Sequence, residues 1–313
     1  MRRHRRNEAK RLLFGLYRLS TRAGFQLVPV HYYSPLPNTV QLERTRTSWA
    51  RPSDLPGLSI DLNAQVQYLQ RVCRPYYDEY KEGSYYEEAV KSSGMRGYGE
   101  IESQVLHAVI RDLKPSQVIE VGSGTSTFCM LQALRLNSQV GNNSKMLCID
   151  PYPSTSVKWP PEADFRVQRV QDVSLDLFMA LGEGDFLFID SSHQVKPGGD
   201  VNYLILEVLP RLRSGVVVHF HDIHFPYDYP RDVLKNFFPW TETSLLRAFL
   251  AFNARYDIMF SLSLMHYERA EELRQLLPLY SPQEGKDGLI DDGARPFEYP
   301  SGHFPSATYI RVT

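Results

Sequence analysis

The sequence predicts an α/β fold, in which a doubly wound and mostly parallel sheet follows a mainly helical N-terminal extension. Two observations support this prediction. From about residue 100 onwards, short apolar runs that suit buried strands alternate with longer stretches that suit helices. The first apolar run ends in an acid and a glycine turn, as strands beside ligand sites often do. We place the extension at residues 1–94 and the α/β domain at residues 95–313.

The composition is that of a globular protein of enzyme size. The chain has 313 residues, of which 42% are hydrophobic and 23% charged, and its formal net charge is -1. This charge gives no electrostatic argument for binding nucleic acid. The three cysteines, Cys73, Cys129 and Cys148, match neither a zinc site nor a disulfide framework. Buried thiols among apolar neighbours fit a reducing, cytoplasmic location.

The N-terminus is basic, with Arg2, Arg3, Arg5 and Arg6 followed by Lys10 and Arg11. The apolar segment after it, residues 12–17, is too short and too closely flanked by charge to span a bilayer. Three interpretations stay open: a solvated tail, a weak contact with an anionic membrane surface, or a presequence.

The elements of the extension follow from prolines and helical stripes. Residues 31–60 contain four prolines at intervals that predict an irregular, extended connection. Asp61 can cap a helix that runs to about Lys81, and Pro75 should break or kink this helix. Residues 92–99 have the composition of a loop.

The α/β domain begins with a helix near residues 100–113, which Lys114-Pro115 ends. Thereafter the patterns predict seven strands, near 117–121, 146–150, 165–170, 186–190, 216–220, 256–261 and 307–312. They also predict five helices between these strands, near 126–137, 174–181, 200–211, 243–253 and 267–278.

The glycine turn after the first strand has the spacing Glu-x-Gly-x-Gly, at residues 120–124. Glycines at Gly122 and Gly124 allow a tight turn and a close approach of the backbone to a ligand. Ser126 or Thr127 can then cap the next helix, whose first N–H groups suit an anion. A dinucleotide fingerprint requires a third glycine where Thr127 stands, so the turn argues against such a cofactor.

This turn resembles the first motif of class I S-adenosylmethionine-dependent methyltransferases, with Ser126 in place of the usual third glycine. The resemblance implies that Glu120, Gly122, Gly124 and Ser126 hold the methionine end of S-adenosylmethionine. It also implies that the seventh strand lies antiparallel between the fifth and sixth. In residues 190–193, 196–203 and 221–230 the chain also resembles a bacterial group associated with small molecules and sugars, and this resemblance covers about residues 95–265.

Further cofactor residues follow the second and third strands. Asp150 ends the second strand at the distance where nucleotide folds place a carboxylate on ribose hydroxyls. Asp172 stands where the family places an acid at the adenine amino group, although it could equally cap the helix near Ser174. We expect Tyr152 to cover the face of the adenine.

Two later strands end in polar residues, which the sheet should bring to one edge. The first run ends in Asp190 and His193, and the second in His221, Asp222 and His224. Neighbouring parallel strands carry ligand sites beyond their carboxyl ends, so we expect one cleft beside the cofactor. His219, inside the same strand, is more typical of a hydrogen-bonded core histidine.

This constellation suits methyl transfer to a hydroxyl. His193 and His221 are the candidate general bases, with Asp190 beside them. In metal-dependent O-methyltransferases, aspartates at these strand ends bind magnesium, which implies a divalent cation on Asp190 and Asp222. That family usually has an Asp-Asn or Asp-Asp pair after the fifth strand, where this chain has His221-Asp222.

The sequence therefore predicts an S-adenosylmethionine-dependent methyltransferase that acts on a hydroxyl of a small molecule, such as a sugar or secondary metabolite. The aromatic residues of 226–230 and 237–240 could form a lid over the substrate or a contact in a homo-oligomer. A non-catalytic binding or assembly protein with the same fold stays open. An NAD-linked oxidoreductase is disfavoured, because the third glycine and a plausible Tyr-x-x-x-Lys pair are missing.

Overall fold

The computed structural model describes residues 2–285, 287–290 and 300–313, without the side chains of residues 2–7 and 9. The chain divides into two compact units, Met1–Trp49 and Ala50–Thr313. The division expected near residue 94 between the extension and the α/β domain stays a prediction.

The first unit contains three helices, α1 (Arg2–Arg22), α2 (Thr39–Arg44) and α3 (Arg46–Trp49). Within α1, Leu12 and Leu19 are 68% and 65% exposed. Among the described residues, none of the helices has the length and apolar content needed to cross a bilayer. The three interpretations of the basic N-terminus stay predictions.

The second unit is built on a seven-stranded sheet of order β3-β2-β1-β4-β5-β7-β6. Six strands run parallel, and β7 is antiparallel to both of its neighbours. The strands are β1 (Gln117–Val121), β2 (Lys145–Ile149), β3 (Ala163–Arg166), β4 (Phe186–Ile189), β5 (Val217–Phe220), β6 (Tyr256–Ser261) and β7 (Thr308–Val312). This sheet confirms the predicted doubly wound, mostly parallel fold.

Helices of the second unit precede the sheet and connect its strands. Three α-helices lie before the α/β part: α4 (Leu62–Cys73), α5 (Tyr77–Gly83) and α6 (Tyr85–Ser93). The others are α7 (Glu100–Leu113), α8 (Thr125–Gln139), α9 (Leu175–Met179), α10 (Asp200–Tyr203), α11 (Glu242–Leu250), α12 (Leu262–Glu268) and α13 (Ala270–Leu276). Helix α10 continues through a π-helical turn (Leu204–Val208) and a 3₁₀ turn (Leu209–Arg211).

The middle of the sheet is buried on both faces, which explains the continuous apolar runs in its strands. All residues of β4 and β5 are buried, including His219. His219 lies 3.2 Å from the Tyr98 hydroxyl through Nε2 and stacks on Phe188, which confirms its place in the core. The three cysteines are also buried and unbridged.

Four predictions of secondary structure need correction. Helices α2 and α3 lie within residues 31–60, where the prolines predicted an irregular, extended connection. The third strand is Ala163–Arg166 rather than 165–170, and the chain passes into a 3₁₀ turn at Val170. The helix expected at 267–278 begins at Leu262, directly after β6, and is interrupted at Arg269. Helix α6 falls in a segment for which we predicted no element, because its tyrosines and glutamates give only a weak apolar stripe.

Candidate active site

The turn after β1 is organised by a buried carboxylate, Glu120, which is fully inaccessible to solvent. Ser126 Oγ donates to Glu120 Oε1 and Thr127 Oγ1 to Glu120 Oε2, each at 2.7 Å. Helix α8 begins at Thr125, with Gly124 at its N-cap. The prediction that Thr127 caps α8 is confirmed in part, since its Oγ1 accepts from the N–H of Gly124 at 3.1 Å. Ser126 does not have this role, and the hydroxyls of both residues fasten the helix to β1.

Burial also changes the acidity of Glu120. It raises the pKa of this carboxyl to about 7, although hydrogen bonds from Thr127, Cys148 and Ser126 oppose the rise. Both carboxylate oxygens already accept hydrogen bonds within the protein. Glu120 thus positions the glycine turn, and its predicted contact with the methionine end of the cofactor stays a prediction.

Gly122 lets three strand ends meet. Its φ of +84° lies in the left-handed region, and a Cβ there would lie 2.1 Å from the carbonyl oxygen of Asp190. Its N–H donates to the carbonyl oxygen of Ile149 at 3.0 Å. The turn after β1 consequently touches the ends of both β2 and β4, and only glycine fits at this position.

A cavity of about 420 Å³ opens beside this turn. Gly122, Asp150, Tyr152 and Asp190 are among its lining residues, together with Gln171, which sequence reasoning did not single out. The cavity lies at the carboxyl ends of β1, β2 and β4, where an α/β sheet binds nucleotide-like ligands.

Asp150 is held at the rim of this cavity. Its Oδ2 accepts from the backbone N–H of Ser123 at 3.0 Å and from Ser123 Oγ at 2.6 Å, and its Oδ1 accepts from the Tyr152 N–H at 2.7 Å. These bonds orient the carboxylate between the first two strand ends. The proposed ribose contact would share these oxygens.

Asp172 is not among the residues that line the cavity, although its partner Arg169 and its neighbour Gln171 are. It forms a two-pronged, exposed ion pair with Arg169, at 2.7 and 2.9 Å. The cap of α9 is Ser174, which accepts from the N–H of Asp176. The alternative that Asp172 caps this helix is therefore wrong, and its adenine contact stays a prediction.

The polar residues after β4 and β5 do come together, as the sequence predicted. His193 Nε2 lies 3.2 Å from Asp190 Oδ1 and 3.6 Å from Asp222 Oδ2. His221 Nδ1 lies 3.5 Å from Asp190 Oδ1 and 3.3 Å from Asp222 Oδ2. We call these four residues the polar cluster. Both His193 and Asp222 have positive φ values of 55°, which turn the chain sharply after each strand.

Glu242, which sequence reasoning missed, holds His193 from the other side. Its Oε2 lies 2.8 Å from His193 Nδ1, and Ser191 Oγ donates to both carboxylate oxygens at 3.0 Å. Glu242 is 1% exposed and begins α11, which is tied to the carbonyl oxygen of His193 by the N–H of Thr241. An acid at the start of a helix gave no sequence signal, because acids are common there.

The carboxylates around the two histidines stabilise their cationic forms. Burial alone disfavours a charged imidazole, yet Asp190 and Glu242 raise the pKa of His193 to about 10. Asp222, Glu102 and Asp190 likewise raise the pKa of His221 well above its usual value.

The same pairing acts on the carboxylates in the opposite direction. His221 and His193 hold the pKa of both Asp190 and Asp222 below the usual range, despite burial. The aspartates of the polar cluster therefore favour the anionic form and its histidines the cationic form, as in an ion-pair network.

A second, larger cavity of about 610 Å³ is lined by other members of the polar cluster. His221, Asp222 and His224 line it, together with Trp240 from the predicted aromatic lid. Burial lowers the pKa of His224 to about 4, so this side chain is neutral near pH 7.

The other aromatic residues of the predicted lid differ in their exposure to solvent. Phe237 and Phe238 are exposed, whereas Tyr227 and Tyr229 are buried within the chain. Of the aromatic residues in the two segments, Trp240 is the one that reaches the cavity wall. Whether the exposed pair serves as a lid or a subunit contact stays a prediction.

The donor set of the polar cluster fits a divalent cation. One donor atom each from Asp190, His193 and His221 lies within 4.8 Å of the others, and Asp222 Oδ2 is close to both imidazoles. Imidazole nitrogens suit transition-metal ions better than magnesium, which prefers oxygen ligands. Glu242 on the remote nitrogen of His193 has the position of an outer-shell partner that orients a ligating histidine.

The fold and site together define the class of protein. The strand order, the antiparallel β7 between β5 and β6, and the acid and glycine turn after β1 form the architecture of an α/β methyltransferase. A family profile described as a methyltransferase domain matches residues 119–223. The chain belongs to the class I S-adenosylmethionine-dependent methyltransferases.

A relative at the sequence level has no described activity. An uncharacterized protein from Archaeoglobus fulgidus is 30% identical over 166 residues, which span 50% of this chain and 73% of that protein. Because that protein is uncharacterized, the match adds no information about the activity or the substrate.

Solved structures show weaker likeness. The O-methyltransferase TomG from Streptomyces achromogenes, in complex with S-adenosylmethionine, is 14% identical over 88% of this chain and 96% of its own, with a TM-score of 0.42. A methyltransferase from Podospora anserina bound to S-adenosylhomocysteine is 13% identical over 90% and 99%, with a TM-score of 0.36. An apo-structure of CmcI is 13% identical over 41% of this chain, with a TM-score of 0.30, and this chain spans 56% of its length. Because these scores are below 0.5, we transfer no residue or substrate from them.

Proposed function

We propose that the protein transfers a methyl group from S-adenosylmethionine to a hydroxyl of a small polar molecule, such as a sugar or secondary metabolite. One observation carries this proposal: the polar cluster stands between two cavities. Asp190 lines the cavity beside the glycine turn, whereas His221 and Asp222 line the larger one. A donor in the first cavity and an acceptor in the second would meet at the cluster.

The proposed reaction needs alignment and the removal of one proton. The acceptor oxygen forms a bond to the methyl carbon while the carbon–sulfur bond breaks and returns its electron pair to sulfur. The products are a methyl ether and S-adenosylhomocysteine, and the hydroxyl proton passes to the polar cluster. A positioned acid or base of this kind contributes about 10²–10⁴-fold to a rate.

His193 and His221 are the proton acceptors that we propose, with Asp190 beside both. The surrounding carboxylates favour the cationic imidazoles, so a histidine must lose its proton before it can act as a base. A sulfonium next to Asp190 favours that loss, because it repels the imidazolium charge. The charge of the donor would thus prepare the base that the reaction requires.

A divalent cation on Asp190 and Asp222, with His193 and His221 as further ligands, is a second way to activate the hydroxyl. Such an ion lowers the pKa of a hydroxyl that it contacts. Excess chelator should then abolish methyl transfer, and manganese, zinc or iron(II) should restore it better than magnesium. Full activity in chelator would leave the histidines as the proton acceptors.

Calorimetric titration with S-adenosylhomocysteine, followed by a mass-detected methylation screen of hydroxylated metabolites, tests the proposal. We expect binding, and products heavier by one methylene. The double variant His193→Asn/His221→Asn should bind the product cofactor normally yet lose about 10²-fold or more in turnover. His31→Asn, an exposed histidine of the first unit, is the matched control.

The outcomes separate the competing functions. No cofactor binding would exclude the methyltransferase proposal, and binding of NAD instead would favour an oxidoreductase. Binding of S-adenosylhomocysteine without any transfer would favour a non-catalytic binding protein. Unchanged turnover in the double variant would remove both proposed bases.

The proposed acceptor is a small molecule, and we propose no nucleic-acid partner. A cytoplasmic location, a homo-oligomer and a weak contact of the basic N-terminus with anionic membranes also belong to the proposal. The exposed leucines of α1 support the membrane contact, because arginine-rich amphipathic helices bind anionic lipid surfaces.

A further inference from the structure

We propose that Arg231 anchors an anionic group of the acceptor, so that the substrate is a hydroxylated molecule bearing a carboxylate or a phosphate. This inference rests on the proposed function, because it assigns the larger cavity to the acceptor. It goes further by stating which chemical class the cavity selects.

Arg231 is an unusual residue for a cavity wall, because it is 6% exposed and still lines the space. Its Nη1 donates to Gln283 Oε1 at 2.8 Å, and its Nη2 donates to the carbonyl oxygen of Glu284 at 2.9 Å. The guanidinium lies 4.6 Å from the ring centre of Phe304. These contacts fix the orientation of the group before any ligand binds.

The partners that hold Arg231 are neutral, so its charge is not compensated by them. Among the described residues, no carboxylate lies within ion-pair distance of its guanidinium, and its Nε–H has no acceptor. Burial lowers the pKa of Arg231, which reflects the cost of keeping the cation out of water. A bound anion would remove this cost, and arginine is well suited to planar oxyanions.

Asp232 is not an ion-pair partner of Arg231 among the described residues. It follows Arg231 in the chain and lines the same cavity, but its Oδ2 accepts from Asn236 Nδ2 at 2.9 Å. Burial raises the pKa of this carboxyl. Its oxygens can also accept a hydrogen bond from a hydroxyl of the acceptor.

The remaining cavity wall suits a polar, hydroxylated ring. Trp240 and Phe304 provide aromatic surface, while Gln283 and His303 provide hydrogen-bonding groups. His221 and Asp222 line the same space. An acceptor held at Arg231 by its anion would thus present another part of itself to the polar cluster, where a hydroxyl can react.

Arg96 provides a matched control, because it lines the same cavity under different conditions. Its side chain is 65% exposed and lies 3.4 Å from Glu87 Oε2. Water screens such a charge, and exposed ion pairs contribute little to binding. If any positive charge at the cavity were sufficient, the two arginines would matter equally.

The test compares the binding of neutral and anionic ligands in matched pairs to the full chain. Saturation-transfer NMR measures the binding. The probes are glucose against glucuronate and glucose 6-phosphate, and catechol against 3,4-dihydroxybenzoate. We expect at least one anionic member to bind about tenfold or more tightly than its neutral counterpart. Glucuronate and glucose 6-phosphate distinguish a carboxylate from a phosphate.

In Arg231→Gln this preference should disappear, while Arg96→Gln should keep it within about twofold. Arg231→Lys retains the charge without the planar fork, so it should recover part of the preference and separates lost charge from a disturbed fold. Unfolding temperatures and affinity for S-adenosylhomocysteine monitor the fold of each variant.

Equal binding of neutral and anionic probes, no binding of any probe, or an anion preference that survives in Arg231→Gln would overturn the inference. Probe binding is also measured without cofactor. Failure to bind S-adenosylhomocysteine contradicts the proposed function alone, and the anion preference is read independently of it.

Discussion

Among single residues, Glu242 has the clearest effect on the candidate site, although it is separated from its partner His193 by 49 positions in sequence. It binds the Nδ1 side of His193, which leaves Nε2 directed to Asp190. Without this carboxylate the imidazole would lose both its orientation and a charge partner. Glu242 is therefore a positioning residue rather than a catalytic one.

We expect Glu242→Gln to lower kcat by about 10–100-fold while leaving affinity for S-adenosylhomocysteine unchanged. The substitution keeps the size of the side chain but removes the charge that pairs with His193. The pH profile of kcat should move as well, because the pKa of His193 falls when a carboxylate neighbour is lost. Steady-state kinetics from pH 6 to 10 provides both readouts.

Glu271→Gln is the matched control for this prediction, since Glu271 is exposed on α13 and pairs with Arg274. It should leave kcat and its pH profile unchanged. A Glu242→Gln enzyme with wild-type kcat and an unmoved profile would show that Glu242 has no positioning role.

At the scale of secondary-structure elements, the site depends on how closely the ends of β1, β2 and β4 approach one another. Gly122 provides that approach, because its backbone lies against the carbonyl group of Asp190. The carbonyl belongs to the first residue of the polar cluster. A change in the glycine turn would consequently disturb both the cofactor cavity and the cluster.

We expect Gly122→Ala to reduce unfolding free energy by more than about 2 kcal/mol and to weaken binding of S-adenosylhomocysteine by at least tenfold. Left-handed backbone in a non-glycine residue costs about 1–2 kcal/mol by itself, and the clash with the Asp190 carbonyl adds to it. Chemical denaturation and calorimetry measure the two quantities.

Gly141→Ala isolates the backbone contribution, because Gly141 has a φ of +89° with open space around its Cα. It should be destabilised by the left-handed backbone alone and should bind the cofactor normally. Equal losses in the two variants would mean that the close approach at Gly122 is unimportant.

At the scale of the whole molecule, folding stability should carry a pH dependence that originates at Glu120. Its pKa is about 7 in the folded protein and 4.5 as the ordinary value, so the folded state holds a proton over this interval that the unfolded chain has released. Stability therefore falls as pH rises from about 4.5 to 7. Buried His224, with its pKa lowered to about 4, acts below pH 6.5 in the opposite direction.

We expect Glu120→Gln to cancel the contribution of Glu120. The unfolding free energy of the variant minus that of the wild type should increase by about 3 kcal/mol between pH 4.5 and pH 8, since each pKa unit corresponds to about 1.4 kcal/mol. Urea titrations at several pH values measure this difference.

Glu162→Gln should show a difference of opposite sign, because hydrogen bonds to its backbone N–H and Arg135 lower the pKa of this exposed carboxyl. A flat difference for Glu120→Gln across the pH range would show that Glu120 is not the source of the dependence.

Sequence by itself determined the fold class, because a parallel sheet buried on both faces requires apolar strands and alternating helices that are visible residue by residue. It also predicted that Asp190, His193, His221 and Asp222 lie at one edge of the sheet, since neighbouring parallel strands end on the same side. Bounds were least accurate where an exposed element gives little periodicity, as at β3.

Tertiary structure alone decided which partners complete the site. Sequence left open whether Ser126 or Thr127 caps α8. The structure shows that both hydroxyls donate to buried Glu120, which requires hydrogen bonds, and that Thr127 also accepts from the N-cap N–H of Gly124. Glu242 contacts His193 of the polar cluster, and Arg231 lines the larger cavity. Both residues come from segments after β5, and no local pattern marks them. The cause is physical: periodicity reports burial along one element, whereas the charge balance of a cavity depends on contacts between residues distant in the chain.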